Sequence, residues 1–184
     1  WTNVTPPHAP EWSQINCIAP SPFEDGGCYV AATRYKLDDF RPYLYATSDF
    51  GATWREITGG LDTAWFTRCI RPDPVAPGLL YWGTERTVWM SYDDGRRWQR
   101  LQQNLPIVPI TDLAVKGGEL IAATQGRSFW SIDGLPHLRQ LSAEQAVQPF
   151  CVWVPVPVAQ FPGGDEVVAG QGRNPPKNLR LCFH

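Results

Sequence analysis

Short apolar segments separated by polar turns run along the first 141 residues. C-Y-V-A-A-T at 28–33, L-L-Y-W-G-T at 79–84 and E-L-I-A-A-T at 119–124 each follow a glycine-bearing turn and end on threonine. Segments of this length, bounded by Gly, Pro, Asp and Ser, read as strands. The pattern predicts four strands in each of three units. They lie near 15–19, 28–34, 42–47 and 53–57, near 67–71, 79–84, 87–91 and 97–101, and near 110–115, 119–124, 128–132 and 138–141.

The units repeat. The three threonine-ended segments are spaced by 51 and 40 residues. C-I-A-P-S-P at 17–22 returns as C-I-R-P-D-P at 69–74, an offset of 52. T-S-D-F-G-A-T-W at 47–54 returns as S-Y-D-D-G-R-R-W at 91–98, an offset of 44, and a decayed copy, Ser131-Ile132-Asp133-Gly134, lies 40 residues further on. Extra residues around Y-K-L-D-D-F at 35–40 lengthen the first unit. Four short strands in a period of roughly 40–50 residues are the signature of a β-propeller blade. A lone blade cannot bury both of its faces, so blades stack around an axis. The expected fold is all-β: three four-stranded antiparallel blades, at about 10–60, 61–104 and 105–141, forming an incomplete ring. Residues 142–184 are expected to form an extended Pro- and Val-rich tail with short strands, because the two prolines inside C-V-W-V-P-V-P-V at 151–158 cannot donate to a ladder.

Composition narrows the function. Apolar residues make up 43% and charged residues 18%, with a net charge of −2. That excludes a charge-rich disordered chain and gives no basic face for nucleic acid. No polybasic anchor is present and no apolar run reaches the ~20 residues of a membrane-spanning helix, so no membrane insertion is expected. Five cysteines (Cys17, Cys28, Cys69, Cys151, Cys182) leave at least one unpaired within the chain. There is no C-x-x-C pair, and His8, His137 and His184 are far apart in sequence, so neither a metal site nor a cofactor is expected. No Ser/His/Asp set or phosphate-binding glycine loop stands out.

The pattern S/T-x-D-x-G-x-x-W, carried by Thr47, Asp49, Gly51 and Trp54 and again by Ser91, Asp93, Gly95 and Trp98, resembles the Asp-box, or BNR repeat. Its chemistry is local: the aspartate accepts turn N–H groups, the glycine supplies positive φ, and the tryptophan covers the turn. These eight residues are expected to be structural, on the side away from any active site. The wider chain is similar to bacterial sortilin-like BNR-repeat propellers of the glycosyl hydrolase-like kind. E-W-S-Q-I-N at 11–16, Y-V-A-A-T-R-Y-K-L-D-D-F-R-P-Y-L-Y at 29–45, L-L-Y-W-G-T-E at 79–85 and A-T-Q-G-R-S-F-W-S-I-D at 123–133 carry the resemblance, and G-R-N-P-P-K at 172–177 looks like the start of the β-sandwich that follows such a propeller. The resemblance implies three blades of a larger ring plus a stub of the next domain. It also implies a secreted or periplasmic protein, although no signal-peptide core is present in these residues.

Up-and-down blades alternate their connections between two faces. One face holds the Asp-box turns and the Pro20/Pro22 and Pro72/Pro74 turns. The other collects Trp12, Tyr35, Lys36, Asp38, Asp39, Arg41, Trp65, Glu85, Arg86, Gln125 and Arg127, with Arg34 and Arg68 aimed toward the same mouth. The residues chosen as ligand-binding candidates are Trp12, Tyr35, Lys36, Asp38, Asp39, Arg41, Trp65 and Arg68, because loops on a rigid scaffold commonly carry function. Neighbouring Asp38 and Asp39 do not establish a glycosidase pair, whose carboxyls stand about 5 to 10 Å apart across a substrate. Two classes stay open: a non-catalytic binding or assembly module, and a glycoside-hydrolase-like protein acting on polysaccharide. The ligand expected for that face is a carbohydrate or a protein. Three blades do not close a ring, so a homodimer of six blades is expected, with the tail sealing it.

Overall fold

The computed structural model describes residues 1–59, 61 and 65–141. The first sheet has the order β1 (Gln14–Pro20), β2 (Cys28–Arg34), β3 (Asp39–Thr47), β4 (Arg55–Glu56). The second has β5 (Thr67–Pro72), β6 (Leu80–Thr84), β7 (Val88–Ser91), β8 (Gln99–Arg100). The third has β9 (Ile110–Lys116), β10 (Glu119–Thr124), β11 (Phe129–Ile132). All neighbouring strands pair antiparallel, in chain order, so each sheet is a meander and the chain is an all-β array of propeller blades. The tail at 142–184, with Cys151, Cys182 and its expected strands, lies outside the described residues.

Two expectations need correction. The fourth strands are shorter than predicted, because Thr53 and Arg97 spend their backbone N–H groups on Asp49 and Asp93 inside the turns. No strand forms at 138–141. Leu135–Leu138 instead make one turn of helix, α1, and the N–H groups of Gln140 and Leu141 return to His137 and Leu138. Pro136 tolerates a helix start, where its missing N–H is harmless.

The inner strands share one irregularity. The register breaks at Asn16 in β1, at Arg68 in β5 and at Thr111 in β9. Such bulges sharpen the twist and re-aim a side chain. Here Asn16 donates through Nδ2 to the Thr67 carbonyl at 2.9 Å, tying the first blade to the second.

The first two sheets share a core of small residues against large ones. Ala19, Ala31, Leu44, Ala46 and Ile57 from the first meet Ile70, Leu80 and Trp82 from the second. Ala31 of the repeated segment, with Ala19 and Ala46, leaves room for an indole across the interface. Close approach also explains Gly83: a Cβ there would stand 2.6 Å from Cys69 Sγ and 2.9 Å from Ile110 Cγ2.

The two D-x-G hairpins are nearly superimposable in their bonding. Thr47 and Ser91 hydroxyls donate to Asp49 and Asp93 at 2.8 and 2.9 Å and accept from the N–H of Gly51 and Gly95 at 3.0 and 2.9 Å. Phe50 and Asp94 then donate to the carbonyls of Gly26 and Gly78, joining each hairpin to the turn before the second strand of its sheet. The Thr53 hydroxyl and N–H, with the Thr47 hydroxyl, hold Asp49 down at about 2. Burial pushes Asp93 up, but hydrogen bonds from Arg97 and Ser91 outweigh it and leave the group below its ordinary value.

The hairpin carboxylates make the fold sensitive to acid. A depressed folded-state pKa stabilises the fold above the unfolded value, near 3.8, and that stability is lost as pH falls through the folded value. Melting temperature should hold steady down to about pH 5 and then drop progressively toward pH 2. Asp49→Asn should lower the neutral melting temperature and flatten the acid decline. An acid limb unchanged by that substitution would show that the hairpin carboxylate does not contribute.

Candidate functional site

The connections fall on alternate faces as the meander requires. On the face opposite the D-x-G hairpins, Arg34 ends β2, a 3₁₀ turn covers Tyr35–Leu37, and Asp38 in the left-handed region (φ 58°) turns the chain into β3. The Tyr35 ring stacks on Phe66 at 4.6 Å between centroids, 14° from parallel, and Phe40 leans on the same Phe66 ring at 6.2 Å. The Arg68 guanidinium lies 5.0 Å from the Phe66 centroid and 5.9 Å from Tyr35, and pairs with Glu85 at 2.6 Å. Lys36 Nζ stands 5.9 Å from the Tyr35 ring. Trp12, also at positive φ (63°) and 86% exposed, rims a notch of about 260 Å³ together with Tyr35, Lys36 and Leu37.

The candidates separate into three groups. Trp12, Tyr35, Lys36 and Arg68 come together on one aromatic and cationic surface. Asp39 and Arg41 sit on its flank and satisfy each other: Asp39 accepts from Arg34 at 3.2 Å, from Arg41 at 2.9 and 2.8 Å and from the Tyr43 hydroxyl at 2.6 Å. The Arg41 hydrogen bond, aided by Tyr43, holds the Asp39 carboxyl far below its ordinary value despite partial desolvation. Asp38 is an exposed turn residue. Trp65, although two residues before β5 as Trp12 is before β1, joins the second blade instead. Its ring lies 6.1 Å from Trp89, with Arg86 and Arg100 at 5.7 and 5.3 Å.

A second concave surface was not foreseen from sequence. The inner strands β1, β5 and β9 line an axial groove of about 810 Å³. Arg71 projects into it and links three sheets. Its Nε donates to the Leu113 carbonyl at 2.9 Å, Nη1 to the Ile70 carbonyl at 2.9 Å and to Cys17 Sγ at 2.6 Å, and Nη2 to Asp112 at 2.6 Å. The signal was present in the repeat. Arg71 stands in C-I-R-P where the first copy has Ala19 in C-I-A-P, a charge in place of a methyl group. Beside it, burial pushes the Cys69 thiol up to about 12, so that sulfur stays protonated.

The chemistry of both places is saturated rather than poised. Asp39, Glu85 and Asp112 each face an arginine. Among the described residues no group of three or more His, Cys, Asp or Glu side chains converges as a metal site.

No protein-family profile matches the chain, and no curated protein does. Solved structures do. The chain is similar to the GH74 xyloglucanase from Xanthomonas campestris (TM-score 0.56, 19% identity, 73% of this chain and 22% of that one). It is similar to the GH74 enzyme of Niastella koreensis (TM-score 0.51, 17% identity, 77% of this chain and 24% of that one). A structure of YCF48 bound to D1 peptide also matches (TM-score 0.47, 18% identity, 66% of this chain and 36% of that one). At these identities the likeness is one of fold: β-propeller blades. The chain spans about a fifth of the length of the Xanthomonas enzyme.

Proposed function

We propose that these blades form an Asp-box, sortilin-like propeller module that binds a protein or carbohydrate ligand without hydrolysing it. The surface of Trp12, Tyr35, Lys36 and Arg68 is the contact. The exposed Trp12 indole beside Lys36, over a Tyr35–Phe66–Arg68 stack fixed from two blades, is the observation that carries the reading. A rigid aromatic with an adjacent cation offers apolar area and charge at little entropic cost. A hydrolytic role has weaker support. Glycosidases keep one carboxyl protonated by raising its pKa, whereas Asp39, Asp49 and Asp93 are all held down.

Titration with oligosaccharide and peptide libraries, read by calorimetry and by chemical-shift mapping, tests the reading. Trp12→Ala and Lys36→Ala should each weaken binding about tenfold or more, roughly 1.4 kcal/mol, with the melting temperature unchanged. Perturbation confined to Pro20, Asp49, Asp93 and their neighbours would place the ligand on the other face and overturn it.

The fold likeness to two GH74 enzymes keeps a second reading, a glycoside-hydrolase-like protein or part of one acting on polysaccharide. Release of reducing ends from xyloglucan, abolished by Asp39→Asn, would favour it.

A further inference from the structure

Trp54 and Trp98 hold the same position in their hairpins, and each indole N–H reaches back to the segment preceding its own blade. Trp98 donates to the Ile57 carbonyl at 2.6 Å, at the end of the first blade's outer strand. Trp54 donates to the Val4 carbonyl at 2.9 Å. The hairpin glycines agree. A Cβ on Gly95 would stand 2.7 Å from Ile57 Cβ, and one on Gly51 would stand 2.8 Å from Val4 Cβ. Val4 therefore has the place against the first blade that Ile57 has against the second. The residues around it match as well: Trp1-Thr2-Asn3-Val4-Thr5 parallels Trp54-Arg55-Glu56-Ile57-Thr58 and, less closely, Trp98-Gln99-Arg100-Leu101-Gln102. Residues 1–5 carry the pattern and the packing of a fourth blade strand, yet among the described residues they pair with no sheet.

At the other end, β11 has one strand neighbour among the described residues, β10, whereas its counterparts β3 and β7 have two. Its surface is open: Phe129 is 78% exposed and Ser131 is exposed, while Pro42–Thr47 of β3 and most of β7 are buried.

We propose that Trp1–Thr5 of one copy adds antiparallel to β11 of a second copy, as the fourth strand of that copy's third blade. Val4 stays seated on its own first blade, so the addition sets the first blade of one copy next to the third blade of the other. The same exchange in the opposite direction closes a two-fold ring of six blades. Main-chain pairing on an exposed edge supplies the bonds. The register is fixed by the repeat. Arg55 pairs with Ala46 and Gln99 with Met90 in the complete blades. Ser131 pairs with Ile121 as Met90 pairs with Tyr81. Thr2 then faces Ser131 of the second copy, and Asn3 faces Trp130, the counterpart of Trp89. The exchange uses a sheet edge, not the Trp12 surface, so it stands or falls independently of the ligand reading.

The test uses full-length chains. Thr2→Cys and Ser131→Cys are made separately, so a link between the two positions in a mixture joins different molecules. After mixing equal amounts and mild oxidation, peptide mapping should find a covalent dimer whose disulfide joins the two introduced thiols. The unaltered chain should sediment as a dimer at micromolar concentration. Thr2→Pro removes a ladder N–H without touching Val4, and should weaken dimerisation about tenfold or more while leaving the Trp54–Val4 contact intact. A 20.7 kDa monomer, a dimer in which the introduced thiols do not link, or the same link formed within a monomeric double variant would each overturn the proposal.

Discussion

Trp82→Ala is expected to destabilise the fold by about 3–5 kcal/mol, the range for deleting a fully buried aromatic. Trp82 is 0% exposed in the middle of β6. Its ring lies 5.8 Å from Trp89 and, edge to face, 5.5 Å from Trp98. Beside Leu44 and Ile57, the first sheet's side of this core includes Ala19, Ala31 and Ala46, whose methyl groups cannot swing in to fill the space. A cavity that cannot collapse is penalised for its volume as well as for lost transfer energy. With domain stabilities typically about 5–15 kcal/mol, this one change consumes a large share. Trp82→Phe should cost less than about 1.5 kcal/mol, because the Trp82 indole N–H has no acceptor among the described residues and the ring volume is mostly kept. Trp12→Ala, at an exposed indole, should stay within about 0.5 kcal/mol. Urea melts of the three variants give the order, and Trp82→Ala within about 1 kcal/mol of the parent would sink the argument.

Legibility in the sequence follows the range of the interactions. Strand segments and hairpins depend on near neighbours, so the threonine-ended segments and the D-x-G turns are visible as patterns, and with them the blades and the alternation of faces. The outer strands look longer in sequence than they are, because hydrogen bonds inside the turn, from Thr53 and Arg97, remove residues from the ladder. Trp12 and Trp65 look alike in sequence and diverge in space. Only the second has Trp89, Arg86 and Arg100 to settle against, and these come from another stretch of chain. Asp39 qualifies as a ligand candidate on residue type and loop position. Arg41 and Tyr43 follow it at alternate positions of β3, on the same strand face, but its bond to Arg34 depends on the β2–β3 register, which composition does not fix. The strand-like pattern of Trp1–Thr5 is too short to weigh without Trp54 reaching across to Val4.

Arg71→Met should destabilise the fold by about 2–3 kcal/mol, and the reason separates charge from geometry. The ion pair with Asp112 is half open to water, with side-chain exposures of 29% and 57%, so alone it contributes about 0–1 kcal/mol. The larger share lies in the carbonyls of Ile70 and Leu113, which the planar guanidinium reaches at once from β5. Hydrogen bonds to a charged donor are stronger than neutral ones; losing the donor takes one partner from the Leu113 carbonyl and leaves the Ile70 carbonyl with the weaker Cys17 thiol at 3.4 Å. Asp112→Asn should therefore be mild, at about 0–1 kcal/mol. Arg71→Lys should fall between, because an ammonium keeps the charge but not the fork. Raising salt to about 1 M should narrow the difference between parent and Asp112→Asn while leaving most of the Arg71→Met deficit. If Asp112→Asn proved as damaging as Arg71→Met, the groove would be held by charge, and the arginine's role as a clasp across three blades would be wrong.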